Sequence, residues 1–290
     1  MTALRNARMG ATLSMVGAGL LLAAPALAQD AATDLFSYRA GADIIEYPDR
    51  SPLNRMESSP LNLIDDSAST DWTGDGGEAV FVLELAEETE LSRIAFDTGG
   101  LNRNQKAPKS FAVEISNSSA NARFVKALSG DLRMNANGQS FTFKPEERPT
   151  GRWVRLTILG NHGDDYTGFT GFHGYGRPTT QSDDMLDFTG EYEGGNGLGW
   201  IHLSQQGDKV TGCYEYQQSR VTGTVSGRVM ELNIVETDSA GDATRRTGLF
   251  QMTPDGRGFR GLVRKNDPSA RDAYADYYTA EKTSNKAGGC

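Results

Sequence analysis

Apolar and polar residues alternate with a period of two over much of the chain, the spacing of half-buried strands rather than helices. Between about residues 35 and 177, four stretches carry it: Ala79–Leu85, Leu91–Asp97, Ser110–Ser116 and Arg152–Leu159. In the third, Phe111, Val113 and Ile115 share one face. Clusters of Gly, Pro and Asn separate the stretches, and no apolar stripe at helical spacing runs for ten residues. The pattern predicts an antiparallel sandwich over 35–177. Residues 178–186, polar and without periodicity around Pro178, read as a linker.

From 187 to 290 a second pattern begins. It holds eight short strand candidates: Phe188–Glu193, Leu198–Gln205, Lys209–Gln217, Arg220–Ser226, Val229–Glu236, Arg246–Thr253, Gly258–Lys265 and Ala273–Ala280. Gln206-Gly207-Asp208, Ser226-Gly227-Arg228 and Pro254-Asp255-Gly256 are hairpin turn signals between them. A meander of this kind predicts a small antiparallel up-and-down β-barrel, because closure removes exposed strand edges. The fold class is therefore all-β, a sandwich followed by a barrel.

The N-terminus departs from this pattern. Arg5 and Arg8 precede an uncharged run from Met9 to Ala28 that contains Leu20-Leu21-Leu22 and ends in Ala26-Leu27-Ala28. A positive head, an apolar middle and a small-x-small end predict a cleavable signal peptide over 1–28, and so a periplasmic or secreted protein. An uncleaved membrane anchor is the other reading, and Pro25, the Gly and Ala content and the cleavage pattern weigh against it. No second long apolar run is present, so no transmembrane span is expected after cleavage. The formal net charge of −9 becomes more negative once Arg5 and Arg8 leave, so nothing points to nucleic acid or an anionic membrane surface as a partner. The two cysteines, Cys213 and Cys290, read either as a disulfide formed in an oxidising compartment or as one buried and one free thiol.

Chemistry-bearing motifs are sparse. There is no Gly-x-Ser-x-Gly elbow, His-Glu-x-x-His, phosphate loop or Cys-His nucleophile pair, so the chain reads as a non-catalytic protein. Asp65, Asp66, Ser67, Ser69, Thr70 and Asp71 crowd one short stretch. Such a stretch is either an oxygen cage for a hard cation or a turn whose side chains bond its own backbone.

The stretch Asn62–Thr73 resembles the Leu-x-Asp-Gly-x-x-x-Thr-x-Trp signature of discoidin-type domains, the coagulation-factor C-domain group that includes many carbohydrate-binding modules. The resemblance continues through Pro108–Ser116 and Gly151–Ile158 and ends at Thr170–Gly176. It implies a jelly-roll sandwich whose loops at one end bind ligand, with Asp65 and Thr70 in a structural calcium site and Trp72 and Trp153 in the core. Two positions depart from the family: Asp66 stands where Gly is usual, and His173 stands where a Glu ligand is common. By the same resemblance, loops 99–106 and 161–166 line the ligand end. There Arg103, Asn161, His162, Asp164 and Tyr166 combine an aromatic face with the charged and amide groups that bind sugar hydroxyls. The expected partner is a glycan or another envelope component.

The second region, with Gly190-Glu191-Tyr192 and Gly212-Cys213-Tyr214, is similar to the small lipocalin-like barrel found beside discoidin-like domains in some bacterial envelope proteins. Gly288-Gly289-Cys290 resembles the Gly-x-Cys element at the tail of those barrels, which implies a Cys213–Cys290 bridge. Two further readings remain: a structural or protein-interaction component of the envelope, and a carrier of a small apolar ligand in the barrel. With little apolar bulk in the strands, a filled interior is expected.

Overall fold

The computed structural model describes residues 33–48, 58–180, 185–265 and 276–290. The expected signal peptide lies outside the described residues, as do residues 181–184 of the expected linker and residues 273–275 of the last expected strand. Among the described residues no helix is long and apolar enough to cross a membrane.

The first half is built from β1 (Asp43–Glu46), β2 (Trp72–Asp75), β3 (Ala79–Asp97), β4 (Pro108–Ser116), β5 (Val125–Asp131), β6 (Gln139–Thr142), β7 (Thr150–Asn161), β8 (Tyr166–Phe169) and β9 (Gly171–Pro178). A seven-stranded sheet runs β1-β3-β7-β4-β5, with β6 and β9 also paired to β3, and β2 and β8 form a separate antiparallel pair. The two stretches expected at Ala79–Leu85 and Leu91–Asp97 are one nineteen-residue strand. Its first part pairs with β1 and β7, its last part with β6 and β9, and the register shifts between Glu84 and Thr89. A strand that changes partners across such an irregularity is how a sandwich turns a corner, and the polar Glu87-Glu88-Thr89 at the bend hid the continuity from the alternation.

The sandwich core is aromatic. Trp72, buried as expected, meets Phe81 edge-on at 4.8 Å, and Phe96 contacts Phe111 at 4.4 Å and Phe172 at 5.0 Å. Trp153 differs from expectation: it is only half-buried. Val154, Leu156 and Ile158 face the core, so the period of two turns Trp153 to the other side of β7, where the Arg152 guanidinium lies 5.9 Å from its ring.

The second half is a closed barrel of eight antiparallel strands: β10 (Gly190–Gly194), β11 (Gly199–Gln206), β12 (Lys209–Tyr214), β13 (Arg220–Ser226), β14 (Val229–Thr237), β15 (Ala243–Met252), β16 (Gly258–Lys265) and β17 (Asp276–Ser284). Pairing of β10 with β17 closes it. Gly207 (φ 59°) and Gly227 (φ 55°) sit in the left-handed region at the two-residue turns β11–β12 and β13–β14, where any Cβ is disfavoured. The interior is filled: Tyr192, Leu203, Met230, Phe250 and Phe259 belong to one buried cluster, with Phe259 4.9 Å from Tyr192 and 5.4 Å from Phe250. At one end a polar chain continues this packing. The Tyr214 hydroxyl donates to Glu236 (2.5 Å), Glu236 pairs with Arg246 (2.8 Å), and Arg246 reaches Asp276 (2.6 Å). Cys213 and Cys290 are bridged, with Cα atoms 5.9 Å apart across a separation of 77 residues.

Sandwich and barrel share a core. Val229, Leu249, Leu262 and Tyr277, on the outside of the barrel, belong to the same buried cluster as Phe36, Tyr38 and Ile44. Strands β15 and β16 are thus apolar on both faces along this flank. Backbone groups are satisfied across the junction as well: Gln251 Nε2 donates to the carbonyls of Tyr38 and Ala42 (2.8 Å each), and the Tyr38 hydroxyl donates to the Arg260 carbonyl (2.9 Å). An interface that buries apolar side chains and pairs these backbone carbonyls holds two modules as one body.

Candidate functional site

Loop 161–166 is shaped by Asn161. Its Nδ2 donates to the carbonyls of Asp164 and Tyr166 (2.8 Å each), and its Oδ1 accepts from the Gly163 amide at 2.9 Å. Gly163, at φ 103°, adopts a conformation that side chains resist, and the loop doubles back through it. The Asn161 amide is therefore committed to the loop. His162 is committed too: its Nε2 lies 2.9 Å from the Leu132 carbonyl, and its amide is shared between the carbonyls of Gln105 (3.1 Å) and Ala107 (3.2 Å). These bonds lock the 161–166 loop onto the 103–107 turn.

What this framework presents is a cluster of four side chains. Tyr166 is 41% exposed. The Arg103 guanidinium lies 5.3 Å from its ring centre and pairs with Asp164 at 3.1 Å. Asp164 also accepts from the Tyr166 amide at 3.0 Å, which fixes the carboxylate against the loop backbone. Lys106, which the sequence reading did not single out, brings its ammonium to 5.7 Å from the same ring although the residue is almost wholly buried. Of the five expected ligand residues, the structure thus brings Arg103 and Tyr166 together at a surface beside the nearly buried Asp164 carboxylate, and uses Asn161 and His162 to hold the loop.

The second group lies around Asp65. Its Oδ1 accepts from the Ser67 amide (2.9 Å), and the Thr70 hydroxyl donates to its Oδ2 (2.9 Å) and also approaches Oδ1 (3.2 Å). Burial pushes the Asp65 carboxyl up to about 7, against the hydrogen bonds from Ser67 and Thr70 that favour the charged form. Asp66, where the resemblance expects Gly, has φ 60°, a left-handed conformation that Asp tolerates better than most side chains.

A cavity of about 260 Å³ opens beside this loop, lined by Asp34, Asp65, Asp66, Asp97, Thr170 and His173 among others. His173 bridges two of these acids: Nδ1 lies 2.6 Å from Asp34 Oδ2, and Nε2 lies 3.2 Å from Asp97 Oδ2. Burial works to lower the imidazole pKa, but the hydrogen bonds to Asp34 and Asp97 and their charges outweigh it and raise it to about 10. Asp97 is held below the usual carboxylate range. Burial opposes this, and the hydrogen bonds from His173 and the Gly138 amide override it. Neither Asp34 nor Asp97 was legible as a site residue, because they lie 139 and 76 positions from His173. Among the described residues no cluster of three or more His, Cys, Asp or Glu side chains is disposed to hold a metal ion.

Residues 57–178 match the family model of the Sad1 / UNC-like C-terminal domain. No curated protein sequence matches the chain. Among solved structures, the chain is similar to the CBM32-5 module of CpGH89 from Clostridium perfringens, solved in complex with GalNAc-β-1,3-galactose, at 14% identity and a TM-score of 0.41 over 49% of this chain and 99% of that one. A fragment of a chitobiase homologue from Bacteroides thetaiotaomicron shows 16% identity and a TM-score of 0.44 over 54% of this chain and 99% of that one. The family 32 carbohydrate-binding module of Streptococcus pneumoniae EndoD shows 15% identity and a TM-score of 0.40, covering 50% of this chain and all of that one. With the sheet order around β3 and the match over 57–178 taken together, the protein carries a discoidin-like jelly-roll domain joined to a closed eight-stranded antiparallel β-barrel.

Proposed function

We propose that this is an exported, non-catalytic binding protein that recognises a glycan of the cell envelope through the Tyr166 rim of its discoidin-like domain. The observation that carries the reading is the exposed Tyr166 ring with Arg103 and Asp164 fixed beside it. A sugar has an apolar C–H face and a polar edge of hydroxyls. A tyrosine ring accepts the first, and a guanidinium–carboxylate pair both donates to and accepts from the second. The supporting loop is already locked by Asn161 and His162, so binding orders few side chains and most of the contact energy is retained. The filled barrel interior disfavours the reading as an apolar-ligand carrier. The disulfide fits an oxidising compartment outside the cytoplasm.

A glycan array followed by calorimetric titration of the hits tests this. Binding to envelope-type polysaccharide that is lost in Tyr166→Ala and Arg103→Ala, with melting temperature unchanged, supports it. Absence of binding by folded protein to any array glycan, or binding that survives both substitutions, overturns it.

A further inference from the structure

We propose that the His173 side chain replaces a bound structural cation in this discoidin-like domain, so that the domain folds without calcium. A divalent metal in such a position does two things: it neutralises converging carboxylates and it ties together segments distant in sequence. His173 does both. It sits in a cavity with Asp34, Asp65, Asp66 and Asp97, and its two ring nitrogens face two of those carboxylates, at 2.6 and 3.2 Å. Each of these carboxylates is in turn tied to the backbone. Asp34 Oδ1 accepts from the amides of Phe36 (3.0 Å) and Gly174 (2.9 Å), and Asp97 Oδ1 accepts from that of Gly138 (2.6 Å). The imidazole therefore cross-links the segment before β1, the end of β3 and the turn before β6 through β9.

The oxygens expected to bind calcium are otherwise engaged. Both carboxylate oxygens of Asp65 receive donors from within its own loop, from the Ser67 amide and the Thr70 hydroxyl. A hard cation needs six or more oxygens aimed at one point, and a cationic imidazole in the same cavity repels it. Other charged groups near the cavity are Arg39, which acts on Asp66, and Arg93, which lies 3.7 Å from the Tyr175 ring. Both add positive charge and work in the same direction. The proposal is independent of what the Tyr166 rim binds.

The test is thermal melting of the full chain in millimolar calcium chloride and in chelator, for the native protein and for His173→Gln, Asp34→Asn and His173→Glu. The native protein is expected to melt at the same temperature in both buffers. His173→Gln and Asp34→Asn should each melt about 5 °C lower, with or without calcium. Asp34→Asn keeps most of the shape of the site, so it reports even where His173→Gln does not fold. His173→Glu, which restores an oxygen ligand, should gain a calcium-dependent rise, since an ion that binds only the folded state stabilises it. A calcium-dependent rise in the native protein, melting of His173→Gln and Asp34→Asn at the native temperature, or a folded His173→Glu that ignores calcium would each overturn the proposal.

Discussion

Arg260, on the outside of the barrel, forms an ion pair with Asp43, the first residue of the edge strand β1 of the sandwich. The Asp43 side chain is 2% exposed, so its charge has given up almost all contact with water and depends on this guanidinium. The pair lies beside the Gln251 bonds to Tyr38 and Ala42, in the shared core of the two modules. The coupling between modules thus includes a buried charge pair that neither can satisfy alone.

Removing one partner of that pair should be severe. Arg260→Ala leaves Asp43 buried and uncompensated, and is expected to cost about 3–5 kcal/mol in urea denaturation. The double variant Asp43→Asn/Arg260→Met should recover much of the loss. A cost for Arg260→Ala within about 0.5 kcal/mol of zero would show that the junction tolerates the loss.

The His173 bridge sets a pH dependence with a definite sign. The imidazole is raised from its ordinary value of 6.5 to about 10 in the folded protein. Its contribution is therefore complete below pH 6.5, declines as pH rises through that window, and is gone above about 10. Asp97 is shifted the opposite way, so its contribution is present above its ordinary value of 3.8 and falls away at lower pH. The stability difference between native protein and His173→Gln, in which groups remote from the bridge cancel and Asp97 is already ionised above pH 6, should be on the order of 3 kcal/mol at pH 6 and shrink toward zero by pH 10. A difference that stays flat over this range would contradict the assignment.

Loss of the disulfide should lower global stability while leaving the folded secondary structure intact. The bridge closes a loop of 77 residues, for which chain entropy predicts about 4.5 kcal/mol of stabilisation. Cys213 is buried and Cys290 is exposed, so Cys213→Ala/Cys290→Ser is the pair of replacements that fits each environment. The double variant should unfold at markedly lower urea with the same far-ultraviolet dichroism. Equal midpoints would mean that the barrel's pairing of β10 with β17 already holds the tail.

Tyr166 and Asn161 are neighbours with separable roles. Tyr166→Ala removes exposed ring surface, so melting should shift by no more than about 1 °C while glycan affinity falls at least about tenfold. Asn161→Ala strands the carbonyls of Asp164 and Tyr166 and the amide of Gly163, and should lower both affinity and melting temperature. If the two variants behave alike, the loop is not a preformed platform.

Strand existence was legible because side-chain alternation is a local property of extended backbone. Arg220–Ser226 and Gly258–Lys265 are strands at the expected bounds, and the other barrel strands lie within a few residues of theirs. Bounds moved where a side chain's destination lay elsewhere. Phe188 reads as the start of a strand, yet β10 begins at Gly190 and the Phe188 ring plugs the interior, its carbonyl accepting from the Tyr192 hydroxyl at 2.8 Å. The candidate site was legible in part. Arg103, Asp164 and Tyr166 stand out by residue type in loops, whereas Lys106 resembled any other surface lysine.

What the sequence by itself determined is the set of short-range consequences: two β regions and the turns between their strands, with the Trp72 core position and the Cys213–Cys290 bridge following from the family resemblance. Tertiary structure alone decided which outward faces are buried and which charges meet. Arg260 and Asp43 are 217 residues apart, and Asp34 and His173 are 139 apart. Their encounters require both sheets to be closed and docked. Periodicity tells which residues of a strand share a face, but only the packed fold decides whether that face meets water, a second core or an opposite charge.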